Sequence, residues 1–171
     1  RDRTGNTCSV TPSTISAIAA NTSVTVSCSP NTYTVSGTVS GLGSGKSVVL
    51  QNNGANNQTV ASPSSTFSFP SQADLSGYSV TVLTQPVGQT CLVTNGSGTL
   101  AGAIVTNVLV TCTNTTYTVS GSISGLTAGG LTLTLSGSQS GTVSPASGAT
   151  SYSFTQTVVN GNSYTVSITS Q

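Results

Sequence analysis

Charge is almost missing from this sequence. Only 3% of its residues are Asp, Glu, Lys or Arg, against roughly a quarter in ordinary soluble domains. The charged residues are Arg1, Asp2, Arg3, Lys46 and Asp74, with a net charge of +1. That balance offers no basic face to nucleic acid or to an anionic membrane. It also leaves no long-range repulsion between copies, so association is favoured. His, Glu, Met and Trp are absent. Without His, neither a Ser-His-Asp nor a Cys-His arrangement can be built. With Asp2 and Asp74 as the only carboxylate side chains, a paired-carboxylate site within one chain is remote. The chain reads as a non-enzyme with no cofactor and no metal site. No apolar run reaches the length of a membrane helix, and no stretch has the pattern of a signal peptide.

What is present points to strands. Apolar residues make up 35% of the 171, and Val, Thr, Ser, Tyr and Gly dominate, the composition of strands and turns. Disorder would need low hydrophobicity combined with high net charge, and the charge is missing. Cys8, Cys28, Cys91 and Cys112 fall as two pairs, spaced 20 and 21 apart. Four cysteines allow three connectivities; their equivalent places in a repeat favour Cys8–Cys28 and Cys91–Cys112. A four-cysteine zinc site usually has ligands two to four residues apart, which is not the spacing here. Two disulfides imply an oxidising compartment, so the protein is expected to be secreted, extracellular or on a cell surface.

The repeat is explicit. Tyr33–Leu42 (YTVSGTVSGL) returns 84 residues later as Tyr117–Leu126 (YTVSGSISGL), and Phe67-Ser-Phe69 returns as Tyr152-Ser-Phe154. Tyr78–Val82 returns as Tyr164–Ile168, and Cys8 and Cys28 return as Cys91 and Cys112. Each repeat reads as all-β. Tyr33, Val35, Gly37 and Val39 alternate with Thr and Ser, as a half-buried strand does. Val48 and Leu50 mark a second strand, ended by the turn-rich Asn52–Asn57. Further short strands surround Val60, Phe67–Phe69, Tyr78–Val82, Cys91–Val93 and Val105–Cys112. About seven short strands in roughly 80 residues suggest an Ig-like β-sandwich.

The cut of the repeat sets the expected organisation. Residues 1–31 form an N-terminal segment of two strands, 32–113 a complete sandwich, and 114–171 a sandwich without its closing strands. Thr7–Cys28 resembles Thr90–Cys112, the segment that closes the first repeat, yet has no repeat in front of it. The expected fold is therefore all-β: two tandem Ig-like sandwiches, the second completed in trans by a neighbour's N-terminal segment. Val10, Ile15, Ile18, Val24 and Val26 are the expected donor residues. Leu131, Leu133, Leu135, Tyr164, Val166 and Ile168 are the expected acceptor groove. Such a contact is heterologous, so it propagates as an open filament unless it closes into a ring. The Arg1-Asp2-Arg3 cluster would sit at that joint.

Other chemistry is weaker. The sequons at Asn21, Asn57, Asn95 and Asn114 are candidate glycosylation acceptors. Lys46 and Asp74 are the only Lys–acid pair for an internal isopeptide bond, and solvated surface charges are the plainer reading. The Asn52–Gln58 loop lacks the carboxylates a calcium site needs and reads as a polar turn. The five tyrosines recur mostly at equivalent positions and read as packing residues.

The stretches Tyr78–Pro86 (YSVTVLTQP), Gly88–Cys91, Asn95–Thr99 and Val105–Cys112 resemble the Ser/Thr/Gly-rich β-sandwich repeats of large bacterial cell-surface, adhesin-like proteins. The strand-donating arrangement is similar in architecture to chaperone–usher pilins and other strand-exchanged pili, without a pilin signature motif. Taken with the cut of the repeat, the leading expectation is a structural subunit of an extracellular filament or pilus, with itself as partner and a host or surface receptor as a further one. The rival expectation is an adhesin stalk repeat without obligatory self-assembly, and a third is a carbohydrate-binding surface domain.

Overall fold

In the computed structural model the described residues are 5–18 and 20–171. The Arg1-Asp2-Arg3 cluster lies outside them. The chain is all β, with no helix among the described residues, and it divides into two compact units. The first takes the residues up to Pro86 together with Cys91–Cys112; the second takes Val87–Thr90 together with Thr113–Gln171. The N-terminal segment thus groups with the sandwich that follows it.

The first unit opens on a hairpin of β1 (Asn6–Thr11) and β2 (Thr25–Pro30), a two-stranded antiparallel sheet with Cys8 opposite Cys28 and Val10 opposite Val26. There follow β3 (Thr32–Tyr33), β4 (Val35–Ser40), β5 (Ser47–Asn52), β6 (Ala55–Ala61), β7 (Thr66–Ser68) and β8 (Gln72–Ala73). The unit continues through β9 (Gly77–Thr84), β10 (Gln89–Thr94), β11 (Ser97–Thr99) and β12 (Val105–Asn114). Two four-stranded sheets result, in the orders β10-β12-β4-β7 and β11-β9-β5-β6. Their buried residues form one cluster: Val35, Phe67 and Val110 from the first sheet meet Val48, Leu50 and Val80 from the second. Alternation explains the packing. In β4, Val35, Gly37 and Val39 are buried while Thr38 and Ser40 face out, because successive strand residues point to opposite faces.

Two local expectations change. The single strand from Tyr33 to Val39 is split. Tyr33 pairs with Gln72 in the small β3–β8 sheet, whereas Ser36–Thr38 pair with β7, so the chain changes sheets at Thr34. The Asn52–Gln58 stretch is mostly strand, not loop. Asn53 and Gly54, at φ 55° and 72°, form a two-residue turn, and β6 begins at Ala55. An Asn-Gly pair with both φ values positive suits the twist of a tight hairpin, and polar residues of β6 then face water. Asn52 itself is buried. Its Oδ1 accepts from the Ser79 N–H (3.0 Å) and its Nδ2 donates to Gln72 Oε1 (2.9 Å), which ties three strands together.

The second unit holds β13 (Thr116–Ser122), β14 (Thr132–Gly137), β15 (Gly141–Val143), β16 (Ser151–Val159) and β17 (Tyr164–Ser170). Its sheets run β13-β16 and β15-β14-β17. The core is Val119, Leu133, Leu135, Phe154 and Val158, with Leu131, Val143, Tyr152 and Val166 packed against it. The repeat is preserved in the packing. Phe67 and Phe69 meet edge to face at 5.6 Å, and their counterparts Tyr152 and Phe154 do so at 5.7 Å. By sequence and by pairing, β13 corresponds to β4, β14 to β5, β15 to β6, β16 to β7 and β17 to β9.

Candidate assembly interface

The hairpin of the first unit is a second copy of that unit's own closing segment. Both are disulfide-bridged, Cys8–Cys28 and Cys91–Cys112, with the paired Cα atoms 3.9 Å apart in each. Their surroundings are opposite. Val108 and Val110 on β12 are 1% and 0% exposed, packed in the core. Their counterparts 84 residues earlier, Val24 and Val26, are 49% and 61% exposed. Val10, Ile15 and Ile18 are exposed too, with Ile18 at 74%. All five expected donor residues are thus exposed: Val10 and Val26 are cross-strand neighbours on the disulfide-linked hairpin, Val24 just precedes β2, and Ile15 and Ile18 lie in the connection between the two strands, so these two are not the strand residues expected.

Hydrogen bonds anchor the hairpin at its base. The Asn31 N–H donates to the Gly5 carbonyl (2.7 Å), and the Asp74 N–H donates to the Asn31 carbonyl (2.8 Å). The second unit repeats this clamp at the equivalent residues. There the Thr115 N–H donates to the Gly88 carbonyl (3.0 Å), and the Asn160 N–H donates to the Thr115 carbonyl (2.8 Å). Asp74, expected as a solvated charge, is held instead. Its carboxylate accepts from the Leu75 N–H (2.9 Å) and the Gly102 N–H (2.8 Å).

Among the described residues the second unit has no counterpart of the first unit's closing segment. In the first unit, β12 lies parallel to β4, with Val108 opposite Gly37 and Val110 opposite Val39. β11 lies antiparallel to β9, with Ser97 opposite Ser79. Among the described residues, β13 pairs with β16 alone and β17 with β14 alone. The edges that β12 and β11 cover in the first unit are thus open in the second. A cavity of 410 Å³ is lined by the segment after β13 and the end of β17, with Ile123, Gly125, Leu126, Leu131, Ile168 and Gln171 among its residues. A second cavity of 200 Å³ lies beside Tyr117, Val119, Val158 and Tyr164.

The expected acceptor residues separate into two groups. Leu133 and Leu135 are buried in the unit's own core, and Leu131 and Val166 pack partly against it. Ile168 and Tyr164 are more than half exposed, so the uncovered part of the groove is the Ile168 side. Leu133 and Leu135 are covered because they lie on the face of β14 that packs against Val119, Phe154 and Val158 of the other sheet, while Thr134 and Ser136 on the opposite face are not buried. Residues that sequence reasoning passed over are Ile123, Gly125, Leu126 and Gln171. Their signal was available, since all four align by the repeat with Val39, Gly41, Leu42 and Gln85.

The remaining candidates are dispersed. Tyr33, Tyr78 and Tyr152 pack against the cores, but Tyr117 and Tyr164 are largely exposed; packing does not account for all five. The sequon residues Asn21, Asn57, Asn95 and Asn114 are all exposed. Two of them make side-chain bonds: Asn95 Nδ2 donates to the Asn107 carbonyl (3.2 Å), and Asn114 Oδ1 accepts from Gln89 Nε2 (3.0 Å). Among the described residues no three His, Cys, Asp or Glu side chains gather as a metal-binding group, and no helix is long and apolar enough to cross a membrane. The two disulfides fit an oxidising, extracellular environment. A scan against protein-family models finds no match, and a search of curated proteins finds none either.

Proposed function

We propose that this chain is a secreted structural subunit that assembles head to tail into an extracellular filament by strand donation. The disulfide-bridged hairpin of one copy fills the groove of the second unit of the next, completing an Ig-like sandwich in trans. The observation that carries this reading is the contrast between identical repeat positions: Val108 and Val110 are enclosed, Val24 and Val26 are bare. Bare β-edges and apolar hairpin faces are templates for pairing with another chain. Here the two open surfaces match a contact that the first unit already makes within itself. The contact uses two different surfaces, so it propagates without saturating. No catalytic step is part of this role. The polymer supplies reach and resistance to unfolding, and a surface receptor is a further partner.

The test is electron microscopy and sedimentation of three proteins: the intact chain, a variant lacking residues 1–31, and Val26→Asp. Val26 is exposed within its own chain, so the charge leaves the subunit folded and acts only on a surface another copy would cover. Filaments from the intact chain and from neither variant support the reading. Filaments from all three refute strand donation by this hairpin and favour the adhesin-stalk organisation, with lateral sheet contacts as the source of association.

A further inference from the structure

We infer, resting on the strand-donation reading, that a neighbour's hairpin docks in one register. Its β2 runs parallel to the end of β13 and the segment that follows it, with Thr25 opposite Ser122, Val26 opposite Ile123 and Cys28 opposite Gly125, and the Gln171 side chain holds the backbone of Cys8. Three observations fix this. First, β12 pairs with β4 as Val110 to Val39, and both strands recur at the same offset of 84, so the pairing transfers residue for residue.

Second, a glycine marks the crossing point. A Cβ on Gly41 would collide with the Cys112 carbonyl, so only glycine admits the closing strand there. Gly125 has the same backbone conformation, φ +72° against +73°, yet nothing lies within 4 Å of its Cβ position. The space that the Cys112 backbone takes in the first unit is open in the second. In the inferred register the Cys28 carbonyl enters it.

Third, a glutamine marks the other donor strand. Gln85 uses both ends of its amide on one residue: its Oε1 accepts from the Cys91 N–H (2.7 Å) and its Nε2 donates to the Cys91 carbonyl (3.0 Å). Gln171 stands at the equivalent place after β17 and lines the 410 Å³ cavity. Cys91 corresponds to Cys8. Because Cys8 and Cys28 are already opposite each other, the glycine and the glutamine read the two strands of a preformed hairpin together. A shift of one residue would put Val24 and Val26 on the solvent face. A shift of two would lose both the glycine pocket and the glutamine clamp.

The experiment uses the full chain. Two variants that each add one cysteine, Thr25→Cys and Ser122→Cys, occupy positions equivalent to the directly paired Leu109 and Thr38, close enough for a disulfide across paired strands. Mixed under mild oxidation, they are expected to give a cross-linked dimer. Thr25→Cys mixed with Ser120→Cys, two residues out of register on the same face, is expected to give little. Gly125→Asn adds a side chain that tolerates positive φ into space that is open within the subunit. It should retain the parental circular dichroism and melting curve and lose association, while Gly54→Asn, at a turn of the same φ with equally open surroundings, should assemble as the parent does. Gln171→Ala should weaken association. Coupling of Thr25→Cys to Ser120→Cys, or unimpaired assembly of Gly125→Asn, would overturn the register while leaving strand donation standing. Absence of any association by the unaltered chain would overturn the underlying reading and the register with it.

Discussion

Val26 and Val110 are the same repeat position in two environments, so one substitution made twice separates folding from assembly. Val→Ala removes two methyl groups, each contributing about 0.8 kcal/mol when buried. Val110 is 0% exposed. Its truncation therefore loses about 1.6 kcal/mol of transfer energy plus a cavity contribution, about 2–3 kcal/mol of first-unit stability in all. Val26 is 61% exposed in the subunit, and its truncation should change stability by no more than about 0.5 kcal/mol. In the assembled joint those methyls would be covered. Burying the exposed three-fifths of them contributes about 1 kcal/mol, rising to about 2 kcal/mol if a cavity is left. At 1.4 kcal/mol per tenfold, Val26→Ala should weaken subunit association by about 5- to 30-fold. Urea unfolding of dilute protein reports the first quantity, and sedimentation velocity across a concentration series reports the second. Equal loss of stability from the two substitutions would show that Val26 is packed within its own subunit. Unchanged association of Val26→Ala would show that no neighbour covers it. Either result refutes the reasoning.

The two disulfides should also divide their effects. Replacing Cys91 and Cys112 by Ser opens a bridge inside the core and should lower first-unit stability by about 3 kcal/mol, the chain-entropy figure for a loop of about 20 residues; replacing Cys8 and Cys28 should leave the core's melting unchanged and reduce filament yield. Asn52→Ala leaves the Ser79 N–H without its acceptor and should cost about 1–3 kcal/mol in a thermal or urea melt. Neither residues 5–31 nor the second unit carries a charged side chain or a His. With Arg1, Asp2 and Arg3 replaced by Ser, to remove the charge expected at the joint, association measured by light scattering should therefore vary by no more than about threefold with added sodium chloride, the scale of weak surface ion pairs, and should be flat between about pH 5 and 7, where His is the side chain that ordinarily titrates. A steep loss with salt would place the joint elsewhere.

Much of the fold was legible because the repeat encodes its own comparison. The alternation in Tyr33–Val39, the recurring Phe67-Ser-Phe69 and the cysteine spacing identify strands, core positions and bridges from patterns of period two and of about 85 residues. Reading failed where a contact decides and a pattern does not. Thr34, where the chain changes sheets, looks like any other polar residue in an alternating run. Asn52 was read as the start of a turn, and only the neighbouring Gln72 side chain and Ser79 N–H make its burial tolerable. The expected groove spans Leu131, Leu133, Leu135, Tyr164, Val166 and Ile168, and of these Leu133 and Leu135 are buried in the unit's own core while Tyr164 and Ile168 are exposed. The core-facing side of β14 is covered by the opposing sheet, and the exposed apolar side chain on the acceptor strands is Ile168, near Ile123 in the lining of one cavity. Gly125 and Gln171 gain meaning only from the contacts their counterparts Gly41 and Gln85 make.

An edge without charge needs another source of specificity. Exposed strand edges are commonly guarded by Lys, Pro or bulges that deter pairing with the wrong chain. The second unit has no Lys to serve, so shape and hydrogen bonding must discriminate. A parallel strand bringing a carbonyl to Gly125, beside a second strand offering a backbone N–H and carbonyl to Gln171, is a demanding pair of conditions. An antiparallel strand, or a single extended segment from an unrelated chain, meets one of them at most. The Cys8–Cys28 bridge matters for the same reason. It fixes the spacing of the two donor strands before contact, so less conformational freedom is lost on docking. The prediction that follows is kinetic. Replacing Cys8 and Cys28 by Ser should slow association and also admit off-register partners. In cross-linking, the Thr25→Cys variant would then couple to Ser120→Cys as readily as to Ser122→Cys. Unchanged preference without the bridge would assign the specificity to the β13 edge and the segment after it alone.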